Sequence, residues 1–255
     1  MTLDVHALWL IAFALVLARA VAWLMVVQPF ATRGAVPAVV TVAVGAALAM
    51  IVAPRLERSQ LPTTTPALVG DLVLQVLTGL AIGFVVQLMI SAVSAAGTFL
   101  DQVGGLTIQP TMNPVGVTEP PLMGNFYRQV VVLLLFVTNG YLLMIEGFAH
   151  SFAGPGFTLA STRTIGTVVL ADLQVFFVSA LEIGGPIMVV LFAAQVVLAL
   201  VSRAAPQANV WFLGMPLQVL LVLVLVALAV SAVPNDLANL LGRGLGDAAR
   251  LFGRP

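Results

Sequence analysis

Few side chains in this sequence are equipped for chemistry, and most of those interrupt apolar runs. Arg19, Asp71, Asp172 and Glu182 lie within long stretches of Val, Leu and Ala, and Asp101 closes another. An ionisable group in a lipid-facing helix is costly, so it marks function unless it sits near a helix end or pairs with a neighbour. A chain of such groups could relay protons or ions. No two of the acids stand three or four residues apart, the spacing that places side chains on one helix face. His6 and His150 belong to different segments, which favours hydrogen bonding or an interfacial position over metal ligation. Cys is absent, which removes disulfides, thiolate metal sites and cysteine nucleophiles. All ten basic residues are Arg, so neither a P-loop lysine nor a Schiff-base lysine exists. HExxH, GxSxG and Walker A patterns are missing. Gly242, Gly244 and Gly246 spell GxGxG, but dinucleotide binding by such glycines needs a preceding strand, and here an amphipathic segment surrounds them. The expectation is no catalytic constellation, no cofactor and no metal.

The composition says what must position these residues. Of 255 residues, 61% are apolar and 8% charged, against about 45–50% and about 25% in a soluble domain. Mean hydropathy is +1.13. Twenty charged side chains cannot cover the surface of a soluble protein of this size, and the Val, Leu and Ala content excludes disorder. Ten acids balance ten bases, so no net charge draws the chain to nucleic acid. The protein belongs in a membrane.

Apolar runs read as Val5–Val27, Pro37–Ala53, Ala67–Leu100, Val130–Ile145, Ile165–Leu181, Ile183–Val201 and Leu217–Val233. A straight span needs about 20 apolar residues. Several runs fall short, while Ala67–Leu100 is far too long and predicts a long or broken helix, with Ser91, Ser94 and Gly97 as a place to bend or pack. The fold class expected is all-α, with six or seven hydrophobic helices in hairpins. The N-terminus, with Asp4, no basic residue before Arg19 and a 23-residue apolar run, does not read as a cleavable signal. Arginine counts on the two sides of a seven-span layout are four against five, so the positive-inside rule assigns no orientation.

Gly79 and Gly83 form GxxxG, and Ser91, Ala92, Ala95 and Ala96 continue a small-residue face. Such faces let helices approach closely within a chain or between subunits. Two connections differ from the rest. Pro54–Pro66 is polar and reads as an exposed loop. Asp101–Gln129 has 29 residues and is rich in Pro and Gly; unstructured connections beyond about 12–15 residues are usually functional or disordered. Its apolar residues, Leu106, Ile108, Met112, Val115 and Val117, disfavour a solvated linker. After Pro234, Leu237, Leu240, Leu241, Leu245, Ala248 and Leu251 follow helical spacing and predict an amphipathic tail helix.

The stretch Arg203-Ala-Ala-Pro-Gln-Ala-Asn-Val-Trp-Phe-Leu-Gly-Met-Pro-Leu217 should end one helix at Pro206 and start the next at Gly214 and Pro216, because proline lacks a donor and disfavours helix before it. The stretch resembles the R(A/S)APQxNxxxxGxP signature of the FliR family of the flagellar type III export gate (SctT in injectisomes). Gly79-Leu-Ala-Ile-Gly-Phe84 is similar to that family's GLxxGF, and Gly97-Thr-Phe-Leu-Asp-Gln-Val-Gly104 to its GxxxDxxxG. The resemblance covers nearly the whole chain. It implies a P-subunit-like half at 1–181, a Q-subunit-like helical hairpin at 182–233 and a C-terminal tail at 234–255.

The resemblance further implies a structural and gating subunit that passes unfolded flagellar proteins across the bacterial inner membrane. It would be a single R copy assembled with P and Q subunits and the export-switch subunit. The loop 101–129 would be a plug, with Gly104, Gly105, Leu106, Ile108, Met112, Val115, Gly116 and Val117 filling a narrow pore. Arg203, Pro206, Gln207, Asn209, Gly214 and Pro216 would form an assembly tip, and Gly79, Gly83, Ala95, Gly97 and Asp101 a packing face. Alternatives are an injectisome gate subunit and a small-solute secondary transporter. The transporter predicts an inverted repeat with an ionisable midplane site, neither of which the sequence clearly displays.

Overall fold

The computed structural model describes residues 5–28, 30, 36–55, 64–106, 121–152, 162–205, 210–229, 231 and 233–250. Among them every regular element is helical: α1 (Val5–Val26), α2 (Ala38–Val52) followed by a 3-10 turn (Ala53–Arg55), α3 (Thr65–Val103), α4 (Leu122–Val137), α5 (Gly140–His150), α6 (Thr162–Ala204), α7 (Val210–Ala229) and α8 (Val233–Arg250). Three helices are long and apolar enough to cross a membrane, and up to five spans exist if each of two bent helix pairs counts as one. The expected all-α, membrane-type architecture is therefore what the chain adopts.

Several boundaries differ from the sequence reading. The runs on either side of Glu182 are one helix, α6, of 43 residues. Glu182 is exposed on the surface of the chain, and a carboxylate side chain leaves the backbone hydrogen bonds of a helix intact. Pro186 also lies inside α6, where its missing N–H removes one bond without ending the helix. Conversely, the run Val130–Ile145 is two helices, because Asn139 takes a left-handed backbone (φ 56°) between α4 and α5. The long run in α3 continues unbroken through Ser91, Ser94 and Gly97. The connection expected at Asp101–Gln129 is shorter, since Asp101–Val103 end α3 and Leu122–Gln129 begin α4. Finally, α7 starts at Val210, so Gly214 and Pro216 lie within it rather than at its start.

The chain forms two compact units, one made of Met1–Leu88, Asn139–Leu173 and Leu241–Pro255, the other of Met89–Thr138 and Gln174–Leu240. In the first unit, Ala12, Leu15 and Val16 of α1 pack on Ala49, Val52 and Ala53 at the end of α2. α3 lies against α1 through glycines. A Cβ on Gly79 would strike the Arg19 carbonyl oxygen, and one on Gly83 would lie 3.1 Å from both the Trp23 carbonyl oxygen and Val26 Cβ. Lipid tails are as apolar as leucine, so what helices gain from this closeness in a membrane is van der Waals contact rather than exclusion from water.

In the second unit, Met123, Gly124, Tyr127, Val131 and Leu135 make one buried face of α4, and Gly97 of α3 fits against it. A Cβ on Gly97 would be 2.5 Å from the Met123 carbonyl oxygen. Val233, Leu237 and Leu240 are the buried stripe of α8, with Asn235 and Asn239 on its exposed side. That is the amphipathic pattern the tail sequence predicts. Much of α6 and α7 presents large apolar side chains outward, among them Phe177, Phe192, Leu200, Leu220 and Leu228.

Candidate functional site

α3 ends where Gly104 and Gly105 make continuation costly. Gly105 takes φ +66°, a left-handed conformation in which other L-residues carry a steric cost. The Leu106 N–H then reaches back to the Asp101 carbonyl at 3.0 Å, and the Gly104 N–H to the Leu100 carbonyl at 2.7 Å. A bond spanning five residues across a left-handed glycine is the Schellman closure of a helix. It satisfies carbonyls that the helix end would leave without partners. The Gln195 side-chain amide donates to a third, the Val103 carbonyl.

This turn aims Asp101 at the start of α4. Its carboxylate accepts the Met123 N–H at 2.9 Å through Oδ1 and the Gly124 N–H at 3.0 Å through Oδ2, and the residue is fully buried. The position preceding α4 is Pro121, which forms no side-chain cap. The cap is therefore supplied from α3, as a negative charge on the positive end of a helix. Gly124 allows the approach, since a Cβ there would be 2.5 Å from Thr98 Oγ1. Of the expected packing residues, Gly97 and Asp101 meet here, while Ala95 is half-buried on the same helix.

Arg19 forms a second polar centre inside the first unit. Its Nε donates to Gln75 Oε1 at 2.6 Å, and one Nη donates to the Ser151 carbonyl at 2.9 Å and to Ser151 Oγ at 3.0 Å. The guanidinium carbon sits over the Phe152 ring, which in turn meets Phe148 edge-on, and Phe148 stacks on Trp23. Arg19 is 3% exposed and Gln75 fully buried. Bonds to charged groups are the stronger ones, and they offset the cost of keeping a guanidinium out of water. Sequence reasoning singled out Arg19 but not Gln75 or Ser151. The readable signal was an amide inside an apolar run, four residues before Gly79.

The other expected residues are more scattered. Asp172 is buried, Asp71 half-buried and Glu182 exposed. His150 is exposed and 3.7 Å from Glu146 one turn earlier; the His6 side chain lies outside the described residues. Arg203 is exposed in the last turn of α6, Gly214 is buried and Pro216 exposed in α7. Pro206, Gln207 and Asn209 fall outside the described residues, as do Ile108, Met112, Val115, Gly116 and Val117. Gly104, Gly105 and Leu106 are the described part of the expected plug. Among the described residues, no group of three His, Cys, Asp or Glu side chains could hold a metal ion.

Comparison with known proteins gives a consistent picture. The family described as bacterial export proteins, family 1, matches residues 10–244. The flagellar biosynthetic protein FliR of Caulobacter vibrioides is 26% identical over 223 residues, covering 86% of this chain and 88% of that protein. FliR of Bacillus subtilis is 26% identical over 163 residues, 62% of this chain and 63% of that protein. The secretion system apparatus protein SsaT of Salmonella typhimurium is 28% identical over 151 residues, 58% of each chain. The chain thus spans less than two thirds of the Bacillus and Salmonella proteins.

Proposed function

The chain belongs to the bacterial export proteins of family 1, and from that membership we propose that it is a structural and gating subunit of the flagellar type III export apparatus. In this role it performs no catalysis and helps unfolded flagellar proteins cross the bacterial inner membrane. The observation that carries the reading is the family match from residue 10 to residue 244, with FliR proteins aligned over as much as 86% of the chain. The aligned SsaT protein makes an injectisome gate the second reading.

A heteromeric setting has its own physical support. α6 has 43 residues, about 65 Å at 1.5 Å per residue, against a hydrocarbon core of about 30 Å. Its apolar stretch Val169–Ala204 is only 17% buried within the chain. Lipid can cover about half of such a length, and the remainder needs protein. We assign that cover to P and Q subunits, with the export-switch subunit as a further partner. Residues 1–181 would be the P-like half and 182–233 the Q-like hairpin, with Arg203, Pro206, Gln207 and Asn209 at an assembly tip. The connection after Gly104 would act as the plug.

Affinity purification from native membrane, followed by mass measurement, tests the assignment: P and Q subunits should co-purify, and a lone monomer would overturn it. Deleting Thr107–Gly116 tests the plug. The assembled complex should then conduct small ions in a lipid bilayer, and wild-type conductance would remove the plug role.

A further inference from the structure

The end of α3 and the start of α4 are held by one residue. The Asp101 main-chain carbonyl closes the α3 turn through the Leu106 N–H. Its side-chain carboxylate takes the Met123 and Gly124 N–H groups, two of the donors that a helix start leaves without intrahelical partners. Each carboxylate oxygen therefore has a backbone donor, in the charge-assisted geometry that makes such bonds strong and directional. Gly97 brings the two backbones close enough for this, since a Cβ there would strike the Met123 carbonyl oxygen, whereas at Gly124 the nearest atom is the Thr98 side-chain hydroxyl. From the other side, Gln195 of α6 bonds the Val103 carbonyl, and a Cβ on Gly104 would be 2.7 Å from Val222 Cγ2 of α7. The turn is thus fastened to α4 by a charge and to α6 by a neutral amide.

A relay role for Asp101 fits this geometry poorly. Protonating the carboxylate would weaken both bonds at once and uncap α4, so moving a proton through it would undo the junction it makes.

We propose that Asp101 and Gln195 are positioning residues that keep the start of α4 and the end of α3 in their resting arrangement, Asp101 as the main hold and Gln195 as the tie to α6. The consequence for conduction rests on the export-gate reading above; the hold itself does not.

The chain contains no Cys, so an introduced pair reports without background from this subunit. Thr98→Cys with Gly124→Cys brings two thiols together, since a Cβ at 124 would lie 2.5 Å from Thr98 Oγ1, the atom that the first cysteine replaces with sulfur. In the assembled complex, the initial rate of disulfide formation at fixed oxidant measures how well α3 and α4 are held. Adding Asp101→Asn, which keeps one acceptor oxygen but turns an amide NH2 toward the other backbone donor, should lower that rate about two- to tenfold, the span expected for loss of one hydrogen bond. Gln195→Leu should lower it less, and the two together should fall short of the product of the single effects, because both act on one turn. Bilayer conductance of the Asp101→Asn complex should rise, and oxidising the cysteine pair should return it to wild type.

An unchanged cross-linking rate with Asp101→Asn overturns the proposal whatever the conductance does. A lowered rate with no change in conductance, either here or in the Thr107–Gly116 deletion, supports the hold and removes the plug reading. A deletion that conducts beside an Asp101→Asn complex that cross-links slowly yet stays closed overturns the link from Asp101 to gating. Should Asp101→Asn fail to assemble, Gln195→Leu at its half-buried site carries both readouts.

Discussion

The Arg19 guanidinium lies over Phe152, its carbon 4.0 Å from the ring centroid, while its nitrogens donate to Gln75 and to Ser151 132 residues away. One side chain thereby ties α1 to α3 and to the turn after α5. Replacing Arg19 with Met should lower stability by about 3 kcal/mol, since it strands buried acceptors that had a charged donor. Lys should restore little of this, because a single nitrogen cannot make both the Nε and Nη bonds. Thermal unfolding of the purified complex in detergent checks this. An Arg19→Met complex melting with the wild type would refute it.

Two glycines should respond to alanine in opposite directions. At Gly79 the new methyl meets the Arg19 backbone oxygen, which cannot swing aside as a side chain could, so Gly79→Ala should cost about 1–3 kcal/mol. At Gly242, inside α8, nothing lies within 4 Å of the added atom. Gly242→Ala should therefore stabilise by about 0.5–1 kcal/mol through helix propensity alone. Equal melting shifts for the two variants would show that the contact at Gly79 is not limiting.

Asn139 precedes α5 with φ 56° and no side-chain cap bond. Asn tolerates that conformation, but Gly has no Cβ to strain, so Asn139→Gly should be neutral or stabilising by up to about 1 kcal/mol. A β-branched residue there should destabilise by roughly 1–2 kcal/mol, the left-handed penalty itself. Paired melting curves for Asn139→Gly and Asn139→Val give the test. A Val variant as stable as the Gly variant would contradict the left-handed break.

The Tyr127 hydroxyl is buried, with no hydrogen-bond partner among the described residues. Its ring packs beside Gly97, where an added Cβ would be 2.9 Å from Tyr127 Cδ2. Tyr127→Phe keeps the ring and removes a stranded polar group, so stability should rise by about 1–2 kcal/mol. A loss of that size would reveal a partner for the hydroxyl beyond the described residues.

How far the sequence could be read depended on the range of the interaction. Membrane character and the amphipathic tail follow from composition and from 3.6-residue spacing, which are local. The break at Asn139 was also local: Asn139-Gly140 is a turn dipeptide, masked by the apolar residues around it. The merging of two runs into α6 went unread because Glu182 looked like a boundary, yet its side chain leaves the backbone hydrogen bonds of the helix intact. Asp101 stood out by its spacing from Gly97 and Gly104. That its carboxylate caps a helix beginning 21 residues later depends on how α3 and α4 meet, which no local pattern encodes. Gln75 and Ser151 were missed for the same reason, since only the fold brings them to Arg19.

The contacts around Arg19 obey two different rules of inheritance. Gly79 touches the main-chain oxygen of residue 19, an atom present whatever the side chain. Gln75 and Ser151 bond the guanidinium itself. Related chains that have exchanged Arg19 for another residue should therefore have changed position 75 or 151 in step, while position 79 stays small. Coevolution would link 19 to 75 across the α1–α3 boundary and leave 79 silent, although all three positions share one patch of that boundary.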